Sequence, residues 1–150
     1  MNDYNHNPKE YDPRMHSAEH LLNQTMVRMF KCGRAFSAHI EKKKSKCDYH
    51  FDRNLTAEEL AQIEQTVNEN IQADLPIQES FINRAEAEQR FNLSRLPEEA
   101  GETIRVITIG DYDACPCSGP HAQSTKELGG IKIGSTDWNN GVLRVRFKLQ

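Results

Sequence analysis

The sequence predicts an α+β domain in two layers, a mainly antiparallel sheet packed with helices. Three patterns point there. Residues 14 to 33 and 56 to 74 carry helix formers with apolar residues at helical spacing. "AFSAHIEKKKSKCDYHFD" reads as a hairpin, and "GVLRVRFKL" alternates apolar and basic residues with the period of a half-buried strand.

Residues 1–13 are polar, contain Pro8 and Pro13, and read as an extended arm before a single domain spanning 14–150. "HSAEHLLNQTMVRMF" has no Gly or Pro until Gly33, so the first helix runs to about that point. At about 100° per residue, His16, His20, Asn23 and Val27 share one face. Met15, Ala18, Leu22 and Met29 form the denser apolar stripe and point roughly the other way, so the histidines are expected outside the main core contact.

In the hairpin, Cys47, Tyr49 and Phe51 alternate with Asp48, His50 and Asp52, which predicts one buried and one wet face. Thr56-x-x-Glu59 is a capping box, and Leu60, Ile63, Val67 and Ile71 follow at helical spacing. Pro76 starts a strand through "IQESFI", Asn83-x-x-Glu86 opens a short helix, and a loop with Pro97 and Gly101 leads to "TIRVITIG". Apolar residues on both parities of that run suggest a central strand. "GGIKIG" and "GVLRVRFKL" supply two more, the last with Arg144, Arg146 and Lys148 on its polar face.

The chain has 150 residues, enough for one real core, and 19 Lys plus Arg against 22 acidic residues, a formal charge of −3. That balance lacks the global basic excess of a high-affinity nucleic-acid binder, so DNA is not an expected partner and any RNA contact must be local. No apolar run is long enough to cross a bilayer and no signal-peptide core opens the chain. No membrane partner is expected, and a soluble, cytoplasmic protein is. Cys32, Cys47, Cys115 and Cys117 are then expected as reduced thiols, the first two most simply core or helix-end groups. A homo-oligomer is compatible with the sequence, which does not set the state.

Two (i, i+4) pairs carry the chemistry. His16-x-x-x-His20 lies on the first helix, and Cys117-x-x-x-His121 lies in "DACPCSGPH", where Pro116, Gly119 and Pro120 forbid a regular helix and hold a fixed turn. Together they supply the nitrogen and sulfur donor set that Zn2+ favours.

In this context the order of HxxxH, "LTAEELAQIEQTVNENI" and "IRVITIGDYDACPCSGPHAQSTKELGGIKI" resembles the second additional domain shared by alanyl- and threonyl-tRNA synthetases. It is most similar to the free-standing alanyl-type editing proteins built from that domain, over roughly residues 14–149. The resemblance implies a trans-acting hydrolase that deacylates mischarged tRNA, typically serine carried where alanine belongs. It also implies a zinc site at His16, His20, Cys117 and His121, the residues expected to be catalytic as well. Alanyl-type members usually carry Gly-Gly-Thr between the Cys and His, whereas this chain has Ser118-Gly119-Pro120, closer to the threonyl type. Ser-tRNA(Thr) is therefore the alternative substrate, and a zinc-stabilised RNA-binding module without turnover is the alternative class.

Four filled protein positions describe a closed site, so for catalysis something must open: a fifth ligand, a loosely bound Cys117 or His, or a neighbouring attacking group. In a metal-free version the imidazoles would position water or shuttle a proton. Asp113 and Cys115 are candidates to orient a histidine from behind, with a self-capping turn residue and a core thiol as the alternatives. Removing serine while sparing alanine needs polar recognition, for which Ser37, Ser118 and Thr125 are candidates. Gly119 is expected to offer a backbone N–H to the ester oxygen. Lys42, Lys43, Lys44 and Lys46 at the hairpin tip are candidates for tRNA phosphates, Lys43 and Lys44 foremost, and the basic residues of the last strand are a second choice.

Overall fold

In a computed structural model, described for residues 10–91 and 102–150, the strands form two antiparallel sheets. Most of the arm at 1–13 and the loop with Pro97 and Gly101 lie outside the described residues. The elements are α1 (Pro13–Phe30), β1 (Ser37–Ile40), β2 (Ser45–His50), α2 (Ala57–Gln72), β3 (Ile77–Asn83), α3 (Arg84–Arg90), β4 (Thr103–Ile109), β5 (Asp113–Pro116), a 3-10 turn (Thr125–Leu128), β6 (Ile131–Asn139) and β7 (Val142–Leu149). One sheet has the order β1-β2-β7-β6 and the other β3-β4-β5, so "TIRVITIG" is central in its sheet, as its two-sided apolar pattern requires.

Local chemistry sets these elements. Asp12 caps α1 by accepting from the Met15 N–H at 3.0 Å, and Pro13 fits the first helical position, where no N–H is needed. Thr56 and Glu59 close their capping box reciprocally, and Ile63, Val67 and Ile71 form the buried stripe of α2. Burial of each such side chain is worth about 1.5–3 kcal/mol. The β6–β7 turn places Asn140 and Gly141 at φ 50 and 83, the left-handed pair a tight hairpin needs.

Helix α1 departs from the expectation of a one-sided core contact. It packs on β1 and β7 of one sheet, on β5 of the other and on α2. Covered from several directions, it buries Met15, Ala18, Leu21, Leu22 and Met26, and equally His16, Ser17, Glu19, His20, Asn23 and Thr25. The histidine face is as dry as the apolar one because a second sheet, unseen in a helical-wheel reading, closes over it. Among the described residues no helix is long and apolar enough to cross a membrane.

Candidate metal centre

The two expected pairs meet. His16, His20, Cys117 and His121 each aim one donor atom into a common point, all four atoms within 4.8 Å of one another. His16 and His20 are 1% and 3% exposed and Cys117 is 8% exposed.

The turn is pinned by groups outside the motif. The Cys117 N–H donates to Arg105 O at 3.2 Å, continuing the strand pairing one residue past β5. Arg105 Nη1 then donates to the carbonyls of Cys117 at 3.1 Å and Gly119 at 2.8 Å, while its Nε pairs with Glu79. Gly119 sits at φ 104, a conformation that favours glycine. From α1, the Ser17 hydroxyl accepts from the Ala122 N–H at 3.1 Å and lies 2.9 Å from His121 Nδ1.

These contacts fix the imidazole tautomers. His16 Nδ1 lies 3.0 Å from Pro120 O, which can only accept, so Nδ1 carries the proton and Nε2 turns its lone pair inward. Ser17 donates to Pro13 O at 3.1 Å, which leaves its oxygen to accept from His121 Nδ1–H. His20 Nδ1 faces Asp113 Oδ2 at 3.5 Å, beyond good hydrogen-bond geometry, and Asp113 is held by Arg34 and Gln24, each at 2.8 Å. Each ring thus turns its outer nitrogen toward an acceptor behind it, the arrangement that orients metal-ligating imidazoles.

Burial, with the neighbouring His20 imidazole, lowers the His16 pKa to about 3, and the same causes lower that of His121. Both are therefore neutral ligand types at pH 7. Burial alone would raise the Asp113 carboxyl, but His20 and the Arg34 guanidinium hold it well below the usual carboxylate range. The four groups could hold a metal ion, and two of their separations are close to those of a tetrahedral zinc shell. Bonds of about 2.0–2.3 Å in a tetrahedron separate the donors by roughly 3.5 Å. Cys117 Sγ lies 3.2 Å from His16 Nε2 and 3.5 Å from His121 Nε2.

The remaining expected residues scatter. Ser118 and Gly119 belong to the turn itself, with Ser118 O 3.1 Å from Cys117 Sγ. Asp113 lies 3.5 Å behind His20, while Cys115 sits half-buried on β5 opposite Ile107, outside the donor group. Ser37 opens β1 opposite Asp48, and Lys42, Lys43 and Lys44 are exposed at the β1–β2 tip. Thr125 needs correction as a substrate contact: it is fully buried, and its hydroxyl donates to Asn70 O and accepts from Leu75 N–H, both at 2.8 Å. It braces the junction of α2 and β3.

Sequence reading missed Glu19, Arg34 and Arg105. Arg105 is a charge inside an otherwise apolar strand, which is itself a signal. Glu19 is 3% exposed, with Oε1 3.9 Å from His16 Nε2 and Oε2 accepting from Asn23 Nδ2 at 3.2 Å. Asn23 Oδ1 accepts from Tyr49 O–H at 2.8 Å and from Ala35 N–H at 3.0 Å, which fixes the amide so that its NH2 faces Glu19.

The family profile described as "Threonyl and Alanyl tRNA synthetase second additional domain" matches residues 104–145, from β4 through the Cys117 turn into β7. The chain is 34% identical over 142 residues to the alanine-tRNA ligase of Methanopyrus kandleri, covering 89% of this chain and 15% of that protein. It is 32% identical over 125 residues to that of Leptospira biflexa, covering 79% and 13%, and 34% identical over 122 residues to that of Bacillus subtilis, covering 80% and 14%. The chain thus spans about one seventh of the length of these relatives. With the profile lying on the turn that carries Cys117 and His121, the chain belongs to the second-additional-domain family of threonyl and alanyl tRNA synthetases.

Proposed function

We propose that this domain is an aminoacyl-tRNA deacylase that removes serine from Ser-tRNA(Ala). The convergence of four buried donors from opposite ends of the chain is the observation that carries it. A zinc ion held by His16, His20, Cys117 and His121 would, when bound, supply Lewis acidity toward an ester carbonyl and lower the pKa of water to about 7. Zinc loading and this substrate are both part of the proposal.

The chain's own groups do the rest. The contacts behind His16 and His121 keep their lone pairs inward, and Arg105 fixes the turn so that Ser118 and Gly119 line the approach. Glu19, held at Oε2 by Asn23, sets its Oε1 3.9 Å from His16 Nε2 and is the carboxylate assigned to the reaction. Glu19 accepts the proton of the attacking water. The water oxygen bonds to the ester carbon, the bond from that carbon to the ribose oxygen breaks, and Glu19 returns the proton to the ribose. Ser37 and Ser118 are the candidates to bond the serine hydroxyl. A polar site of that kind can reject the analogue lacking the hydroxyl by about 10⁴ to 10⁵. Lys43 and Lys44 face tRNA phosphates in this scheme.

The test is serine release from Ser-tRNA(Ala), compared with Ala-tRNA(Ala) and Ser-tRNA(Thr), using folded His16→Ala protein as control. Selective release from Ser-tRNA(Ala) supports the reading, and preference for Ser-tRNA(Thr) reassigns the site to the threonyl type. One observation favours a second reading: with four protein donors at one point, a bound zinc would have no position left for water, as in structural zinc sites. A folded, zinc-loaded protein that releases nothing while binding tRNA would establish that module.

A further inference from the structure

We propose that Asn23 is a positioning residue of the donor site: its side-chain amide sets both carboxylates that flank the four donors, Glu19 directly and Asp113 through Ala35 and Arg34. The role rests on the deacylase reading and specifies how its proton-carrying group is held.

Asn23 is 1% exposed and shares the buried polar face of α1 with His16 and His20. Its amide can stand only one way round. The Ala35 N–H donates to Oδ1 at 3.0 Å and, as a main-chain donor, cannot accept, and the Tyr49 O–H donates to the same oxygen at 2.8 Å. A flipped amide would point N–H at N–H. Nδ2 is therefore held toward Glu19 Oε2, at 3.2 Å. Tyr49 is fully buried on β2 and Ala35 is buried in the segment before β1, so the lock forms only when α1 is docked on its sheet.

Both carboxylates hang from this lock. Glu19 is a long side chain, and tying Oε2 to Asn23 leaves Oε1 3.9 Å from His16 Nε2. On an exposed helix such an (i, i+4) bond counts for little, but here both residues are dry and water does not compete. On the other side, the Ala35 bond holds the main chain next to Arg34. The Arg34 Nη1 and Nη2 donate to Asp113 Oδ1 and Oδ2 at 2.8 and 3.3 Å, and Oδ2 faces His20 Nδ1 at 3.5 Å. One amide thus fixes a carboxylate beside His16 and another behind His20.

A brace for the core does not need this chemistry. Apolar residues hold a helix to a sheet without the cost of a dry carboxylate, and the polarity of the Asn23 amide matters because Glu19 stands on its far side.

Asn23→Asp tests that polarity. It keeps Oδ1 for Tyr49 and Ala35 and puts an oxygen where Nδ2–H meets Glu19, so the Asp113 arm is kept and Glu19 loses its tether. Single-turnover serine release from Ser-tRNA(Ala) is measured against protein concentration for wild type, Asn23→Asp, Glu19→Gln and the double variant, with urea unfolding of each. In Asn23→Asp the saturating rate should fall about 10- to 100-fold, the range for partners that orient a metal site, with half-saturation unchanged. The double variant regains an N–H···O bond with the roles exchanged, so its stability should return toward wild type while release stays at the Glu19→Gln level. Wild-type rates in folded Asn23→Asp, a change confined to half-saturation, or release recovered along with stability in the double variant overturns the proposal. Should Asn23→Asp not fold, Tyr49→Phe carries the test: it keeps the ring, drops one bond to Oδ1 and should lower the saturating rate by a smaller factor, and a wild-type rate there overturns the proposal. Absence of release from wild type removes the deacylase reading and this role together, whereas release that Asn23→Asp shares with wild type removes the role alone.

Discussion

Helices α1 and α2 have similar lengths, 18 and 16 residues, yet they solve burial in opposite ways. The second hides a narrow stripe of Ile63, Val67 and Ile71, with Glu64 and Asn68 at its margin bonding the β6 backbone and most of its other polar residues facing water. The first hides His16, Ser17, Glu19, His20, Asn23 and Thr25 together with its apolar residues. Dry polar groups cost free energy unless each is paired, and here Pro120 O, Ser17, Asn23 and Tyr49 do most of the pairing, while His20 Nδ1 only faces Asp113 at 3.5 Å without a hydrogen bond. The difference teaches that burial alone accounts for α2, whereas α1 carries a polar interior that the proposed function uses through the donors it aims.

The sharpest break in that comparison is deletion of a donor. Changes behind metal ligands already cost 10- to 100-fold, so His16→Ala or Cys117→Ala should cut serine release by about 100-fold or more and abolish zinc loading. Single-turnover release and metal analysis on refolded protein check both. Asp113→Ala comes next, because it strips Arg34 and His20 of their partner. Leaving one half of a buried pair unpaired costs about 3–5 kcal/mol, toward the lower end here since the Arg34 side chain is 26% exposed. Urea unfolding and the deacylation rate should fall together.

On α2 the two readouts should separate. Ile63→Ala should lower unfolding free energy by about 2–5 kcal/mol through a cavity, while serine release at a temperature where the protein stays folded is unchanged. Thr56→Ala should cost about 1 kcal/mol through the lost cap. Smallest is a pH effect. The bidentate Arg53 contact, with the Thr56 N–H, lowers the Glu59 pKa from 4.5 to about 2. A depressed folded-state value means the contribution is present above pH 4.5 and is lost as pH falls toward 2. Arg53 is exposed and Glu59 only partly covered, so melting curves of Glu59→Gln should diverge from wild type only modestly, and less in high salt.

What the sequence made legible follows the same division. Short-range rules found α2, its capping box and the β7 alternation, because one helix face or one strand face decides each, whereas on β2 the expected wet face fails at Asp48, which is buried under Arg144. The four donors were readable because their types and (i, i+4) spacings are local on both halves. Glu19 and Arg34 were not, since their meaning comes from partners such as Asn23 and Asp113 that fold to them from elsewhere. Thr125 misled for the same reason: a hydroxyl near a site motif in sequence is, in space, a brace beneath α2 and β3. The division into two sheets likewise depends on pairings that no single strand encodes.

The most direct measurement is single-turnover serine release from Ser-tRNA(Ala) by Cys117→Ala and Ile63→Ala, compared below the melting temperature of both. Loss of release in Cys117→Ala with wild-type rates in Ile63→Ala is expected if the buried polar face of α1 and its turn perform the chemistry. Equal rates in the two variants would contradict that division of labour.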